Sequence, residues 1–498
     1  MRLPAISLFF LLLSATTLFA ESTVTVLHFS DYHSHAVPFF ESGELVGGLP
    51  RLIGFLKPLA RRKDTLIFSG GDMMNAGSPS WSDKYQCADW PLLNGIVDAM
   101  AFGNHDADYG PEVFERCRKS ARFPILGANV IRSDGSPLFA ANRKNYLVFR
   151  RKNIRIGVFA IAGDDFEKLV SPSHRPAAEA RFTASASAAR EVVEALKSKE
   201  RVNCIILIGH EHTEDDIRLA REVPGIDLIL GTHSHRKQDL EVVPGTHTYM
   251  ISPFQYLNYV SRVEMHFSAG RLASIDGRLV PMDRSIREDR ATLATVAKMQ
   301  AALEQDLAYR SFFLPVGSAS TEIATRNGVE GESLIGDFVT DVMRDVTKSD
   351  IAISAASSFR QALPPGPLRL EDLRASLPYD NKILIYRMTG ASVKQLIEQS
   401  ISRRGSDFFS QVSGIRFAIH DRHAEDLVVS RDGQWAPLRD DGTYTVATTD
   451  YQGKIADGYR EIFAPFPPVD SGERVRSAVE RRIRSGSPIT AALDGRIR

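Results

Sequence analysis

Cysteine is scarce, with 3 in 498 residues. That excludes a small disulfide-built scaffold, which needs many paired thiols in a short chain. An excess of charge of either sign is also missing: 61 Lys+Arg stand against 61 Asp+Glu, with 13 His. Without a basic or acidic surplus there is no electrostatic footprint of a polyanion binder, and no nucleic-acid partner is expected. No apolar run of bilayer-spanning length follows the first twenty residues, and Ala491–Arg498 is too polar for a lipid-anchor signal, so no stable membrane anchor is expected. Asn-x-Ser/Thr sequons are absent, so glycosylation gives no clue to compartment. What is present is 43% hydrophobic residues over a length that suggests two or three domains.

Residues 1–20 read as a secretory signal peptide. Arg2 is followed by an apolar run from Ala5 to Leu13, and Ala20 precedes Glu21. Leu18 at the −3 position leaves the cleavage point open by a few residues, and a secreted or periplasmic protein is expected. Export permits disulfides, and Cys87 and Cys117 could pair. Cys204, inside the apolar run Val202–Ile208, reads as a small buried residue.

The N-terminal half repeats one pattern, an apolar strand that stops at a metal-ligating side chain. Thr23–Ser30 breaks into Asp31-Tyr32-His33-Ser34-His35. Thr65–Ser69 is followed by Gly70-Gly71-Asp72, and Asp98–Phe102 by Gly103-Asn104-His105-Asp106. Val202–Ile208 ends in Gly209-His210-Glu211-His212, and Ile226–Leu230 in Gly231-Thr232-His233-Ser234-His235. Continuous apolar runs bounded by turn residues read as buried strands, with helical stretches such as Ala188–Ser198 between several of them. In open α/β sheets the site lies at the carboxyl ends of the strands, where all five clusters fall.

Any one cluster alone reads as a turn, because Asp-x-His, Gly-Gly-Asp and His-x-His are common on surfaces. Five in order, each after a strand, point to a metal centre. Carboxylate, imidazole and amide oxygen without thiolate suit Zn, Mn, Co or Fe. The donors outnumber what one tetrahedral ion takes. Two ions bridged by a carboxylate would use them all, and such a pair activates water against phosphorus.

These motifs resemble the calcineurin-like metallophosphoesterases, and more narrowly the secreted 5′-nucleotidases and bacterial UDP-sugar hydrolases. The resemblance implies an α/β fold: a four-layer αββα metallophosphoesterase sandwich followed by a smaller α+β substrate-recognition domain. It also implies two divalent metal ions. Asp31, His33 and His235 would hold one, Asn104, His210 and His233 the other, with Asp72 bridging. His210 is preferred to His212 because it follows the strand directly. In the family's Gly-Asn-His-[Asp/Glu]-x-Asp motif the imidazole and final carboxylate form a catalytic dyad, here His105 and Asp108. Ala128-Asn129-Val130 matches a family loop but reads equally as a strand-end turn. Phe254–Phe267 reads as a strand closing the sheet.

Downstream, Arg284–Asp306 is charged and helix-prone, with Leu293, Val296, Leu303 and Leu307 at roughly helical spacing. A break is expected near Phe312–Ser318. The expected division is 1–20 signal peptide, 21–283 dimetal catalytic domain, 284–313 helical linker and 314–498 C-terminal 5′-nucleotidase-type domain. Glu332–Met343 reads as an amphipathic helix resembling the one that opens the family's recognition domain. There two rings sandwich the nucleobase, matching Tyr379 (where phenylalanine is usual) and Tyr451. Asp457 matches a ribose-binding residue and Arg360 a substrate-contacting arginine.

The chain departs from the family at the recognition loop. Ala355–Arg360 lacks the three glycines of [Asn/Ser]-Gly-Gly-Gly-Ile-Arg, and Ala355 replaces a base-recognising asparagine. Gly331 falls where some members carry an arginine, with Arg326 nearby, and Ile455-Ala456 replace Gly-Gly before Asp457. The expected activity is hydrolysis of a small-molecule nucleotide or related phosphate ester: nucleoside 5′-monophosphates or nucleotide-sugar and diphosphate substrates, attacked by a metal-bound hydroxide. The alternatives are a hydrolase of a non-nucleotide ester, as in the thiosulfohydrolase relatives, and a non-catalytic extracellular nucleotide-binding protein. Oligomeric state stays open.

Overall fold

The computed structural model describes residues 21–139, 144–325, 328–431, 433–486 and 488–498. The expected signal peptide and Arg326 lie outside the described residues. No helix among the described residues is long and apolar enough to cross a membrane.

Two six-stranded sheets form the N-terminal half. The first runs Arg271–Pro281, Tyr259–Ser268, Glu21–Phe29, Thr65–Ser69, Ala99–Ala101, Ile125–Leu126. Its last four strands are parallel, and the Tyr259–Ser268 strand pairs antiparallel on Glu21–Phe29. The second runs Lys237–Val242, Tyr249–Pro253, Leu228–Gly231, Cys204–His210, Ile154–Ala162, Leu147–Arg151, with its four central strands parallel.

Strand composition follows from this layering. Val24, Val26, Leu66 and Phe68 of the first sheet meet Val158, Ile206, Ile208 and Leu230 of the second in one buried cluster. The alternate residues Leu27, Phe29, Ile67 and Met100 face an outer layer built around Leu52, Leu56 and Trp90. Leu207 and Ile229 likewise pack on Val192, Leu196 and Leu219 of the helices Ser185–Ser198 and Thr213–Glu222. Both faces of each central strand are therefore buried, which is why the runs are apolar throughout rather than alternating. Each fully buried Val, Leu or Ile contributes roughly 1.5–3 kcal/mol. This is the four-layer αββα sandwich.

The C-terminal half holds a five-stranded sheet in the order Ser410–Ser413, Ile351–Ala355, Thr443–Thr449, Lys382–Thr389, Val469–Arg474. Helix Leu334–Thr347 belongs to the cluster on one face and helix Gly390–Ser402 to that on the other. The first of these starts one residue after Ser333, whose hydroxyl accepts from Gly336 N at 3.2 Å. The halves are clasped by backbone donors. Glu371 accepts from Ser80 N and Oγ at 2.7 and 2.6 Å, and Glu322 from Ser42 N and Gly43 N at 2.7 and 2.9 Å.

Several expectations shift. The long helix occupies only Arg290–Gln305, capped by the Asp289 side chain; Val296 and Leu303 are buried, whereas Leu293 and Leu307 are 41% and 78% exposed. Helical spacing alone does not say which residues the neighbouring helix covers. The break expected near Phe312–Ser318 is largely a strand, Pro315–Ala319, paired with Gly366–Arg369; Pro315 opens it, the position where a missing N–H is tolerated. Phe254–Leu257 is not strand, because Phe254, Tyr256 and Leu257 all have positive φ and the strand begins at Tyr259. Asn129 is fully buried and clamps Ala162 and Thr183 backbone atoms at 2.7–2.9 Å, a structural role.

Cys87 and Cys117 are joined in a disulfide across a sequence separation of 30, and Cys204 is free and buried. Opening that loop in the unfolded chain removes a constraint worth about 3–4 kcal/mol. Urea denaturation of the Cys87→Ser/Cys117→Ser double variant is therefore expected to show a loss of that order, and an unchanged midpoint contradicts it.

Candidate dimetal active site

All five clusters converge at one end of the two sheets. The chain turns abruptly at three of the five strand ends: Asp31, His33, Asp72, His233 and His235 have φ of 48°, 45°, 49°, 60° and 47°. A non-glycine residue in this left-handed region costs about 1–2 kcal/mol. Five such residues in one place mark a site where geometry outweighs strain. Backbone bonds lock the turns together, with Asp31 N donating to Gly71 O at 3.1 Å and His33 N to Asp72 O at 2.9 Å. A Cβ on Gly103 would collide with the Asp72 carboxylate, so only glycine allows the third strand end to approach it.

The side chains form two groups around Asp72. In the first, His33 Nε2 lies 3.1 Å from His235 Nε2, and His235 Nε2 lies 3.4 Å from Asp31 Oδ1. In the second, His210 Nε2 lies 3.3 Å from Asp72 Oδ2, with His233 alongside. Asp72 Oδ2 is also 3.8 Å from His33 Nε2, which places this oxygen between the groups. Two imidazole nitrogens 3.1 Å apart make a poor pair by themselves and a good pair of ligands. His210 Nδ1 is 2.6 Å from Gly70 O, which fixes the proton there and turns Nε2 inward as a bare acceptor. That Nε2 and Asn104 Oδ1 are buried atoms without a hydrogen-bond partner. Orphaned acceptors facing carboxylates are costly unless a cation satisfies them, so the donor set fits divalent ions.

Electrostatics agree in part: against burial, the Asp72 and Asp31 carboxylates push His210 up to about 9, favouring a proton that a bound cation would displace. Burial alone would raise Asp72, but the imidazoles of His210, His105 and His33 hold it well below the usual carboxylate range. Burial, with only partial opposition from Asp72, drives His33 well below its ordinary value and keeps it a neutral ligand. His105 behaves differently. Its Nδ1 is 2.8 Å from Asp108 Oδ2, and the Asp108 and Asp72 carboxylates outweigh burial to push it up to about 10.

The C-terminal half reaches this centre unevenly. The Arg360 guanidinium abuts His235 Nδ1, lies 3.4 Å from Tyr379 OH and 3.8 Å from Asp407. Tyr379 and Tyr451 expose their rings, 42% and 37% accessible. Asp457 is instead ion-paired with Arg460 at 2.9 Å and two-thirds exposed. In the loop whose sequence departs from the family pattern, Ala356–Ser358 is a single helical turn, with Ala355 N donating to Gln452 Oε1 at 2.9 Å.

Other contributors carry little signal in the sequence. Asp106 accepts from Asp72 N, Met73 N and Gly103 N at 3.1, 2.8 and 2.9 Å, bracing two strand ends against each other. Thr232 Oγ1 contacts His210 Nδ1 at 2.9 Å, and Ser30 Oγ donates to Asp31 Oδ2 at 2.5 Å. Tyr256 stacks on His35 at 3.7 Å and packs edge-on to His33.

Comparison with known proteins agrees with this geometry. The family model for calcineurin-like phosphoesterases matches residues 24–237, and that for the 5′-nucleotidase C-terminal domain matches 315–464. Protein UshA of Escherichia coli is 25% identical over 94% of this chain and 92% of its own. The 5′-nucleotidase of Homo sapiens is 26% identical over 95% of this chain and 90% of its own. In fold, the 5′-nucleotidase precursor of Thermus thermophilus superposes with a TM-score of 0.74 at 24% identity, over 96% of this chain and 99% of the other. Sandwich and appended domain thus agree with the matched models, and the chain belongs to the calcineurin-like phosphoesterases that carry a 5′-nucleotidase C-terminal domain, a family of phosphoester hydrolases.

Proposed function

We propose that this protein is an exported dimetal hydrolase of nucleoside 5′-monophosphates or of nucleotide-sugar and diphosphate substrates. The observation that carries this reading is the pair of ligand groups sharing Asp72, with Arg360 and Tyr379 facing them across the domain junction. Export rests on the Met1–Ala20 leader. The division into 21–283, 284–313 and 314–498 assigns chemistry to the first part and recognition to the last.

Asp31, His33 and His235 would hold one ion and Asn104, His210 and His233 the other, with Asp72 between. Bound there, divalent ions supply Lewis-acid neutralisation of phosphoryl charge and lower the pKa of the attacking water. The chain's own groups do the rest. His105, its Nδ1 proton fixed on Asp108, presents Nε2–H to phosphoryl or leaving-group oxygen as charge builds in the transition state. Arg360 offsets phosphate charge, and Tyr379 and Tyr451 offer flat faces for a base. Asp457, released from Arg460, would reach the ribose.

Phosphate release from AMP is expected to fall by about 10²–10⁴ in kcat for His105→Ala, with metal content unchanged, and by less for Asp108→Asn. Wild-type turnover in His105→Ala contradicts the role assigned to it.

Tyr379→Ala separates nucleotide from other esters. Loss of stacking worth about 1–3 kcal/mol per base should raise KM for AMP or UDP-glucose by about 5–150-fold and leave p-nitrophenyl phosphate unaffected. Equal effects on both substrates favour the non-nucleotide ester reading, which the altered Ala355–Phe359 turn also motivates.

A further inference from the structure

His212 and Asp165 take no part in the site as described, yet they stand at its rim. His212 precedes helix Thr213–Glu222, and Asp165 precedes the single turn Phe166–Leu169. His212 Nε2 lies 3.2 Å from Asp165 Oδ2, and its ring centroid is 4.7 Å from that of His233. All three side chains offer ligand atoms within 4.8 Å of one another. We propose that Asp165, His212 and His233 form a third divalent-cation site, suited to zinc, that shares His233 with the inner pair.

The chemistry of the set supports zinc. Two imidazoles and one carboxylate are the donors of open zinc sites, which leave the fourth position to water. A tetrahedral ion with bonds near 2.0–2.1 Å places its ligand atoms about 3.3–3.4 Å apart. The Asp165–His212 separation of 3.2 Å resembles the inner contacts of 3.3 and 3.4 Å rather than the 2.8 Å of the His105–Asp108 dyad. Access differs from the inner site. The side chains of His212 and Asp165 are 35% and 30% exposed, whereas His210 is fully buried. A cation therefore reaches the rim from solvent without displacing protein.

Sharing has a consequence. An ion on the rim competes for His233 with the inner ion beside His210, so high zinc draws a ligand from the reaction centre. The rim set has only three protein donors, one of them borrowed, and should bind more weakly than the inner pair. The inference goes beyond the dimetal reading but rests on it for His233.

The test is zinc content of the full-length protein after equilibrium dialysis over a range of buffered free zinc, for wild type, Asp165→Ala and His212→Ala, with His212→Gln as a second replacement. Wild type is expected to take up a third equivalent at high zinc, while each variant stops at two and melts like wild type. Zinc inhibition of phosphate release should move to at least about tenfold higher concentration in the variants, a change of 1.4 kcal/mol. A wild type that stops at two equivalents overturns the rim site alone, as does a third equivalent retained in the variants. A wild type that binds fewer than two overturns the dimetal reading and the rim site with it.

Discussion

A carboxylate buried to 1% exposure is expensive unless opposite charge surrounds it, and in this protein that carboxylate is Asp72. Its Oδ2 faces His210 at 3.3 Å and His33 at 3.8 Å, while its Oδ1 accepts from His105 N at 2.8 Å. No one of these would suffice. Their convergence requires strand ends from both sheets to meet at one point, and the left-handed turns at five ligand residues are how the chain achieves it. The sandwich around them supplies the rigidity: strands buried on both faces do not shift to relieve a strained turn. Asp106 then fastens the second and third strand ends together through three backbone donors.

The C-terminal half depends on the same centre from the other side. Arg360 is held between His235, Tyr379 and Asp407, so the C-terminal half is seated on the candidate metal face. Glu322 and Glu371 fix that seating on backbone donors of the catalytic half. Ser80 is fully buried at this contact, so the Glu371 clamp is shielded from water, whereas the Glu322 bonds are exposed.

How much of this was legible in the sequence follows from the range of each interaction. The central strands read clearly because two-faced burial leaves an unbroken apolar run, and each ligand cluster sits directly at the end of one. Position singles out the clusters holding His33, His210 and His235, while their assignment as candidate ligands comes from the resemblance to the family. Asp106 shows the limit: it lies inside the Gly103–Asp108 motif, yet its partners Asp72 and Met73 are more than thirty residues away, and no spacing announces them. Tyr256 was concealed differently. Its aromatic, β-prone neighbourhood reads as strand, while positive φ at Phe254, Tyr256 and Leu257 turns the ring onto His35. Leu293, inside the helix at the expected spacing but 41% exposed, shows that periodicity identifies a helix without saying what covers it, and Leu307 lies beyond its end. Asp457 matches its family position, yet here pairs with Arg460, a partner only three residues away.

On the proposed reading, the five strand ends hold two ions on opposite sides of Asp72. Anomalous diffraction from crystals loaded with two equivalents of manganese tests it most directly. Two peaks about 3.5–4 Å apart are expected, one among Asp31, His33 and His235, the other among Asn104, His210 and His233, with Asp72 Oδ2 reaching both. A single peak, or a pair that leaves Asp72 uncoordinated, would contradict it.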